Sequence, residues 1–201
     1  MERFFLFIKH HFSFIWSVID SVNGILFFQI YGKRLDHVLD GIFAEANVRG
    51  FSYRLLCSDD IQQLHDLIAA QQPEDLTYFN PHGFAIDALS RQNRKPAFLM
   101  MGTFDGQILA GYFFLRFFAN KKCFVGRLID KEYRGRGIGS VMNFLMYETA
   151  WRMRFRCLST ISRNNVAIMK AHSKNPNMVV LKELNNDYLL VEFVRIDLES
   201  N

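Results

Sequence analysis

Apolar residues change their spacing several times along this chain, and each change marks an element. Residues 3 to 34, RFFLFIKHHFSFIWSVIDSVNGILFFQIYGKR, are crowded with aromatic and aliphatic side chains and predict a pair of helices. LDHVLDGIFAEANVRG continues as a short helix and connector, and a new pattern begins at Phe51. That break predicts a helical, hydrophobic extension over residues 1–50 and a catalytic-size domain over 51–201. SYRLLC reads as a strand. SDDIQQLHDLIAA then has Ser58 in the N-cap position, acidic residues in the first turn and apolar residues at helical spacing. Gln71 to Pro81 reads as a loop and Phe84 to Arg91 as a short helix.

Beyond that helix the period falls to two. AFLMMGTFDGQILAGYFFLRFF splits at Asp105-Gly106, a strong hairpin signal, and KKCFVGRLI is a third strand entered through Lys121 and Lys122. From Ile138 the apolar positions Val141, Met142, Leu145, Met146, Ala150 and Met153 form a helical stripe. RCLSTI is another strand, Asn164 to Lys174 a helix, and MVVLKELNNDYLLVEFV a last hairpin turning at Asn185 to Asp187.

Composition narrows the function classes. The 201 residues are 50% hydrophobic with a net charge of +4, and the basic residues are scattered instead of clustered, which disfavours nucleic acid and mildly favours anionic ligands. Cys57, Cys123 and Cys157 lie far apart without metal-ligand spacing; the expectation is buried thiols in a reducing, cytoplasmic setting and no metal. Lys9 and Asp20 interrupt the aromatic leader, so it is read neither as a membrane span nor as a signal peptide. Two readings of residues 1–35 stand: helices packed on the core or on a second copy, or a peripheral anchor at the inner membrane face with Phe and Trp at the acyl boundary.

The chemistry concentrates in YRGRGIGS, residues 133 to 140, between a strand and a helix. Glycines admit close approach to the main chain, and a helix start offers unsatisfied N–H groups at a positive dipole end, which suits phosphate. A P-loop requires lysine before the final Ser or Thr, and Gly139 precedes Ser140. A dinucleotide fingerprint requires a third glycine and an acid at the next strand end, and both are missing.

Arg134, Gly135, Arg136, Gly137, Ile138 and Gly139 fit [QR]-x-x-G-x-[GA], and with the preceding strand they resemble the acetyl-coenzyme A motif of the GNAT acetyltransferase superfamily. The resemblance implies an α/β (α+β) three-layer fold: a central mixed, mostly antiparallel twisted sheet flanked by helices, here with the helical N-terminal extension. It implies that main-chain N–H groups from Arg134 to Ser140 cradle the coenzyme's diphosphate, and that two parallel strands splay beside Gly126, where a bulge or a close backbone approach is expected. Leu128 and Ile129 at the strand end would face the reacting carbonyl. Asn165 and His172 occupy the spacing of the family's asparagine and tyrosine, with histidine replacing the tyrosine that commonly protonates the departing thiolate.

Many relatives carry a carboxylate on the strand before the loop, whereas this chain has Arg127 there; His82 is the choice for a general base. The expected activity is acetyl transfer from acetyl-coenzyme A, as co-substrate, to the primary amine of a small molecule, amino sugars among them. A protein or peptide amine is the rival acceptor, and a catalytically silent acyl-coenzyme A sensor is the alternative from another class.

Overall fold

In a computed structural model the described residues are 13–46, 50–173 and 175–196, so the first twelve residues of the aromatic leader and Lys174 lie outside them. The elements run α1 Ser13–Glu45, β1 Ser52–Leu55, α2 Ile61–Ala69, α3 Pro73–Leu76, α4 Ile86–Asn93, β2 Phe98–Asp105, β3 Ile108–Phe118, β4 Lys122–Ile129, α5 Ile138–Arg152, β5 Arg156–Ser162, α6 Val166–His172, β6 Met178–Glu183 and β7 Tyr188–Phe193. Seven strands form one sheet in the order β1-β2-β3-β4-β5-β7-β6. All neighbours are antiparallel except β4 and β5, which are parallel.

Alternation along the central strands places apolar side chains on both faces of the sheet, which is why it needs helices on both. Phe98, Met100, Tyr112 and Phe114 pack with Leu64, Ile68 and Leu89 of α2 and α4. Their in-between neighbours Leu99, Met101, Phe113, Leu115 and Phe117 pack with α1 and α5. The result is three layers, with the β4/β5 junction near the middle of the sheet.

Three local expectations are revised. The leader's described part runs as one helix through Asn23-Gly24 and the short helix expected after residue 34, while the rest of the expected helix pair lies outside the described residues; the Asn23 amide donates to the Phe117 carbonyl (2.8 Å) and accepts from the Ala119 N–H (2.9 Å), which holds the helix to the sheet. Ser58 does not cap α2; a 3-10 turn intervenes, and Asp60 accepts the Cys57 N–H (2.8 Å) while pairing with Arg54 (2.5 Å). Cys57 is exposed, whereas Cys123 and Cys157 are buried.

The two halves of α1 are built on opposite plans. Its second half is conventionally amphipathic, with Leu35, Leu39 and Ile42 in the core. Its first half turns polar groups inward: Asp20 pairs with Lys95 (2.7 Å) and Arg116 (2.8 Å), and these partners overcome the upward push of burial to hold its carboxyl below the ordinary range. Val18, Ile19, Val22, Ile25, Leu26, Phe28 and Ile30 consequently face outward, each at least 42% exposed.

Candidate active site

β4 and β5 pair only from Lys122 with Arg156 to Phe124 with Leu158. Beyond that pair no ladder joins them, and the strands diverge; the Ser159 hydroxyl donates to the Val125 carbonyl (3.0 Å) where the gap opens. The opposite edge of β4 fixes which amides face the gap. Asp130 N–H donates to the Ala110 carbonyl (3.1 Å), and with Leu128 opposite Tyr112 the antiparallel alternation directs Leu128 N–H to β3 and the Arg127 and Ile129 N–H groups into the gap. Of the two strand-end amides expected to face the reaction, Ile129 is so directed and Leu128 is not. Gly126 carries no bulge, since β3 and β4 run in continuous register there; a Cβ on it would meet the Phe114 ring at 2.7 Å, so the glycine admits that ring.

Around this gap lies a cleft of about 850 Å³, walled by β4, β5, the inner face of α5, α6 and the connector at Phe79 to Pro81. At its rim, the strand leads through a 3-10 turn, Lys131–Tyr133, into the glycine loop. Gly135 and Gly137 have φ of +76° and +84°, left-handed values that side chains disfavour. Arg134 N–H donates to the Lys131 carbonyl (3.4 Å) and Ser140 N–H to the Gly137 carbonyl (3.0 Å). The five N–H groups between them, from Gly135 to Gly139, meet no acceptor among the described residues. The expected run of seven amides is therefore five.

Arg134 is not a free charge at this rim. Its guanidinium pairs with Asp75 (2.8 Å), donates to the Gln71 side chain (3.1 Å) and reaches the Ile129 carbonyl (3.3 Å), tying the α2–α3 connector to the loop. Arg136 stacks its guanidinium on the Tyr133 ring, 4.8 Å from the centroid, and stays exposed. Of the acids, Glu74 and Asp75 alone border the cleft among the described residues.

The inner end is assembled from side chains on separate elements. His172, the last residue of α6, is buried, and burial followed by the field of Arg127 pulls its imidazole pKa down to about 4. The Asn175 carbonyl accepts the Asn177 N–H (3.1 Å), which turns its amide nitrogen to His172 Nδ1 (3.2 Å). Nδ1 is thus the acceptor, and the ring's proton sits on Nε2. Asn165 borders the same space, but its carbonyl caps α6 by accepting the Ile168 N–H (3.1 Å).

Arg127 joins this end by donating to the Asn143 carbonyl, and no carboxylate of the described residues pairs with it. Tyr147 stacks on Phe193 (4.3 Å between centroids), with its hydroxyl buried and meeting no hydrogen-bond partner of good geometry among the described residues. Sequence reasoning does not single out Asn143, Tyr147 or Asn175. A usable signal exists for the first two: Gly139, Asn143 and Tyr147 recur at four-residue spacing, a small and polar line through an apolar helix.

His82 stands elsewhere. Pro81 borders the cleft and His82 does not. Its Nδ1 faces the Gly83 carbonyl (3.0 Å) and must carry the proton, so Nε2 accepts from the Tyr112 hydroxyl (2.7 Å). With burial lowering its pKa and its lone pair occupied, the imidazole satisfies a wholly buried phenol, and the choice of His82 as base is withdrawn.

No family model and no curated protein matches the chain. Solved structures do. An N-acetyltransferase, PaiA, from Thermoplasma acidophilum in complex with coenzyme A superposes with a TM-score of 0.59 at 16% identity, covering 72% of this chain and 99% of that one. The GNAT domain of S. lividans PAT gives 0.59 at 15% identity over 70% and 88%. An acetyltransferase of Salmonella typhimurium that modifies the N-terminal serine of ribosomal protein L7/L12 gives 0.57 at 19% identity over 72% and 93%. The fold is that of the GNAT N-acetyltransferases.

Proposed function

We propose that this protein is an acetyl-coenzyme A-dependent N-acetyltransferase whose acceptor is the primary amine of a small molecule. The observation that carries the reading is the run of five unmet amides from Gly135 to Gly139 at the mouth of a gap between two parallel strands. Successive N–H groups at a helix start, two of them on left-handed glycines, form a concavity that suits a diphosphate. The gap behind it offers the Arg127 and Ile129 amides to an extended amide-bearing arm, as an added strand would use them. The similarity to a coenzyme A complex supports the same placement.

When bound, acetyl-coenzyme A supplies an activated thioester to an attacking amine. The residues here bind and position. The Gly135 to Gly139 amides hold the diphosphate, Ile129 N–H lies at the strand end where it polarises the thioester carbonyl, and His172 donates Nε2–H to the departing sulfur. A thiol of ordinary pKa about 8.5 leaves readily enough that a neutral hydrogen-bond donor suffices. No carboxylate stands at the inner cleft among the described residues, so the amine loses its proton to water. Amino sugars are the acceptor type favoured within this class.

Calorimetry with acetyl-coenzyme A and its desulfo analogue, followed by thiol release across a panel of amines, tests the reading. Binding with amine-dependent release is the expected result. Absence of binding overturns the assignment, and binding without release under any amine replaces the enzyme by an acyl-coenzyme A sensor.

The outward face of α1 supports a location for this activity. Apolar residues from Val18 to Ile30, Phe27 excepted, face outward while Asp20 and Asn23 face the sheet, and exposed Lys33 flanks that stripe. No helix among the described residues is long and apolar enough to cross a membrane, so the face would lie along an anionic lipid surface, with the lysine toward the headgroups. Sedimentation with phosphatidylglycerol vesicles is expected for the full chain and is lost in Ile25→Asp/Phe28→Asp. A concentration-dependent dimer that ignores vesicles would assign the face to a second copy instead.

A further inference from the structure

We propose that Arg127 and Asn143, beneath the last glycine of the diphosphate loop, form a receptor for a carboxylate that a ligand carries into the inner cleft. The inference rests on the reading of a coenzyme A-dependent acyltransferase: a carboxylate on the amine narrows the acceptor class, and one on the acyl group replaces acetyl by a carboxyacyl donor.

The arginines elsewhere in the described structure set the contrast. Arg54, Arg116, Arg134, Arg152, Arg156 and Arg163 each pair with a carboxylate, and Arg34, Arg91, Arg94, Arg136 and Arg154, which do not among the described residues, are exposed to water. Arg127 has none, although it is more deeply placed than most of them and borders a cleft large enough to admit a ligand. A guanidinium withdrawn from water without a counter-ion is unfavourable, and a site that keeps one is completed by an anion from outside. Lysine or methionine would fill the same space; the planar fork suits a carboxylate held by two parallel bonds.

Arg127 stands two residues back along β4 from Ile129 and its guanidinium packs beneath the end of the loop, Nε 3.5 Å and Nη2 3.7 Å from where a Cβ on Gly139 would stand. Its Nη1 is fastened to Asn143, one turn farther into α5 than Gly139, and Tyr147 and His172 are the titratable side chains within its field. The same charge repels a polyamine, so the acceptor or acyl group that fits here is anionic.

The carboxylate has two sources, the acyl group of the thioester or the amine acceptor. Both arms use the full chain, as wild type, Arg127→Met and Asn143→Ala. The first compares S-(2-carboxyethyl)-coenzyme A with S-propyl-coenzyme A by calorimetry. The second compares N-acetylglycine with N-acetylglycinamide, followed by the 15N shift of the Arg127 Nε. In one arm the acid is expected to bind wild type at least about tenfold tighter than its neutral partner, with the preference lost in Arg127→Met and reduced in Asn143→Ala. The arm that discriminates names the source.

Equal binding of each pair by wild type overturns the proposal, and so does a preference that survives in Arg127→Met. Plain coenzyme A is expected to bind wild type and Arg127→Met alike; a loss in the variant would reassign the arginine to the diphosphate site. Failure of wild type to bind coenzyme A would sink the acetyltransferase reading alone, since the N-acetylglycine pair still decides the carboxylate. Arg127→Met is expected to melt no lower than wild type, because it exchanges a half-buried charge with no carboxylate partner for an apolar side chain, so folding of the variant does not limit the test.

Discussion

The rim and the inner end of the cleft solve the same problem, holding an anion or a developing negative charge, by opposite means. The rim uses backbone: five amides on a loop bent by Gly135 and Gly137, with Arg134 already neutralised by Asp75 and Arg136 turned onto the Tyr133 ring. The inner end uses side chains: Arg127 from β4, Asn143 and Tyr147 from α5, and His172 from α6. Backbone recognition depends on local conformation and tolerates exposure, because the dipoles are fixed by the chain. Side-chain recognition needs burial to be strong and depends on how three elements pack.

The largest effect should come from breaking the rim's geometry. Gly137→Val forces a branched side chain into a left-handed conformation, and coenzyme affinity should fall beyond about 100-fold with the fold's melting temperature little changed. A normal dissociation constant in calorimetry would separate the loop from coenzyme binding.

At the inner end, His172→Phe should lower turnover about 100-fold while leaving coenzyme affinity in place. The same variant sharpens a pH prediction. Because the folded imidazole titrates at about 4 and the unfolded one near 6.5, the unfolded state takes up the proton first as pH falls. His172's contribution is complete above about 6.5 and is lost as pH drops toward about 4, at a cost on the order of 3 kcal/mol. Denaturant midpoints at pH 7 and pH 4 should therefore converge by that amount in His172→Phe; identical acid sensitivity in both proteins would contradict the buried neutral ring.

Smaller effects test the connections. Arg134→Ala removes an exposed clamp, not an anion ligand, and should weaken coenzyme binding about fivefold, in keeping with the modest worth of surface pairs. A hundredfold loss would make the guanidinium a direct ligand. His82→Gln should leave turnover within about twofold and cost about 1–2 kcal/mol of stability, because the Tyr112 hydroxyl loses its acceptor. Loss of the acidic limb of the pH-rate profile would restore His82 to the chemistry.

This division also explains what the sequence made legible. A hairpin at Asp105-Gly106, a strand into a glycine loop and a helix after it depend on neighbours in the chain, and so the fold and the rim could be read. Local strings could not show that Asn165 would be used as a cap, or that His82 would be claimed by Tyr112, thirty residues away in sequence. The same limit hid the convergence of Asn143, Tyr147 and Asn175, which follows from the packing of α5 and α6 beside β4. His172 was reachable because a motif names its place, while its tautomer is set by Asn175 and the turn after the helix.

The first helix has a practical corollary. Phe27 stacks on Phe117 at 4.7 Å and also touches Phe155, so the leader forms one wall of the same aromatic cluster that anchors β3 and the turn before β5. A shortened gene product starting near residue 50, the natural choice for crystallisation, would uncover those rings and clump, whereas along Val18 to Ile30 the full chain would call for detergent or lipid.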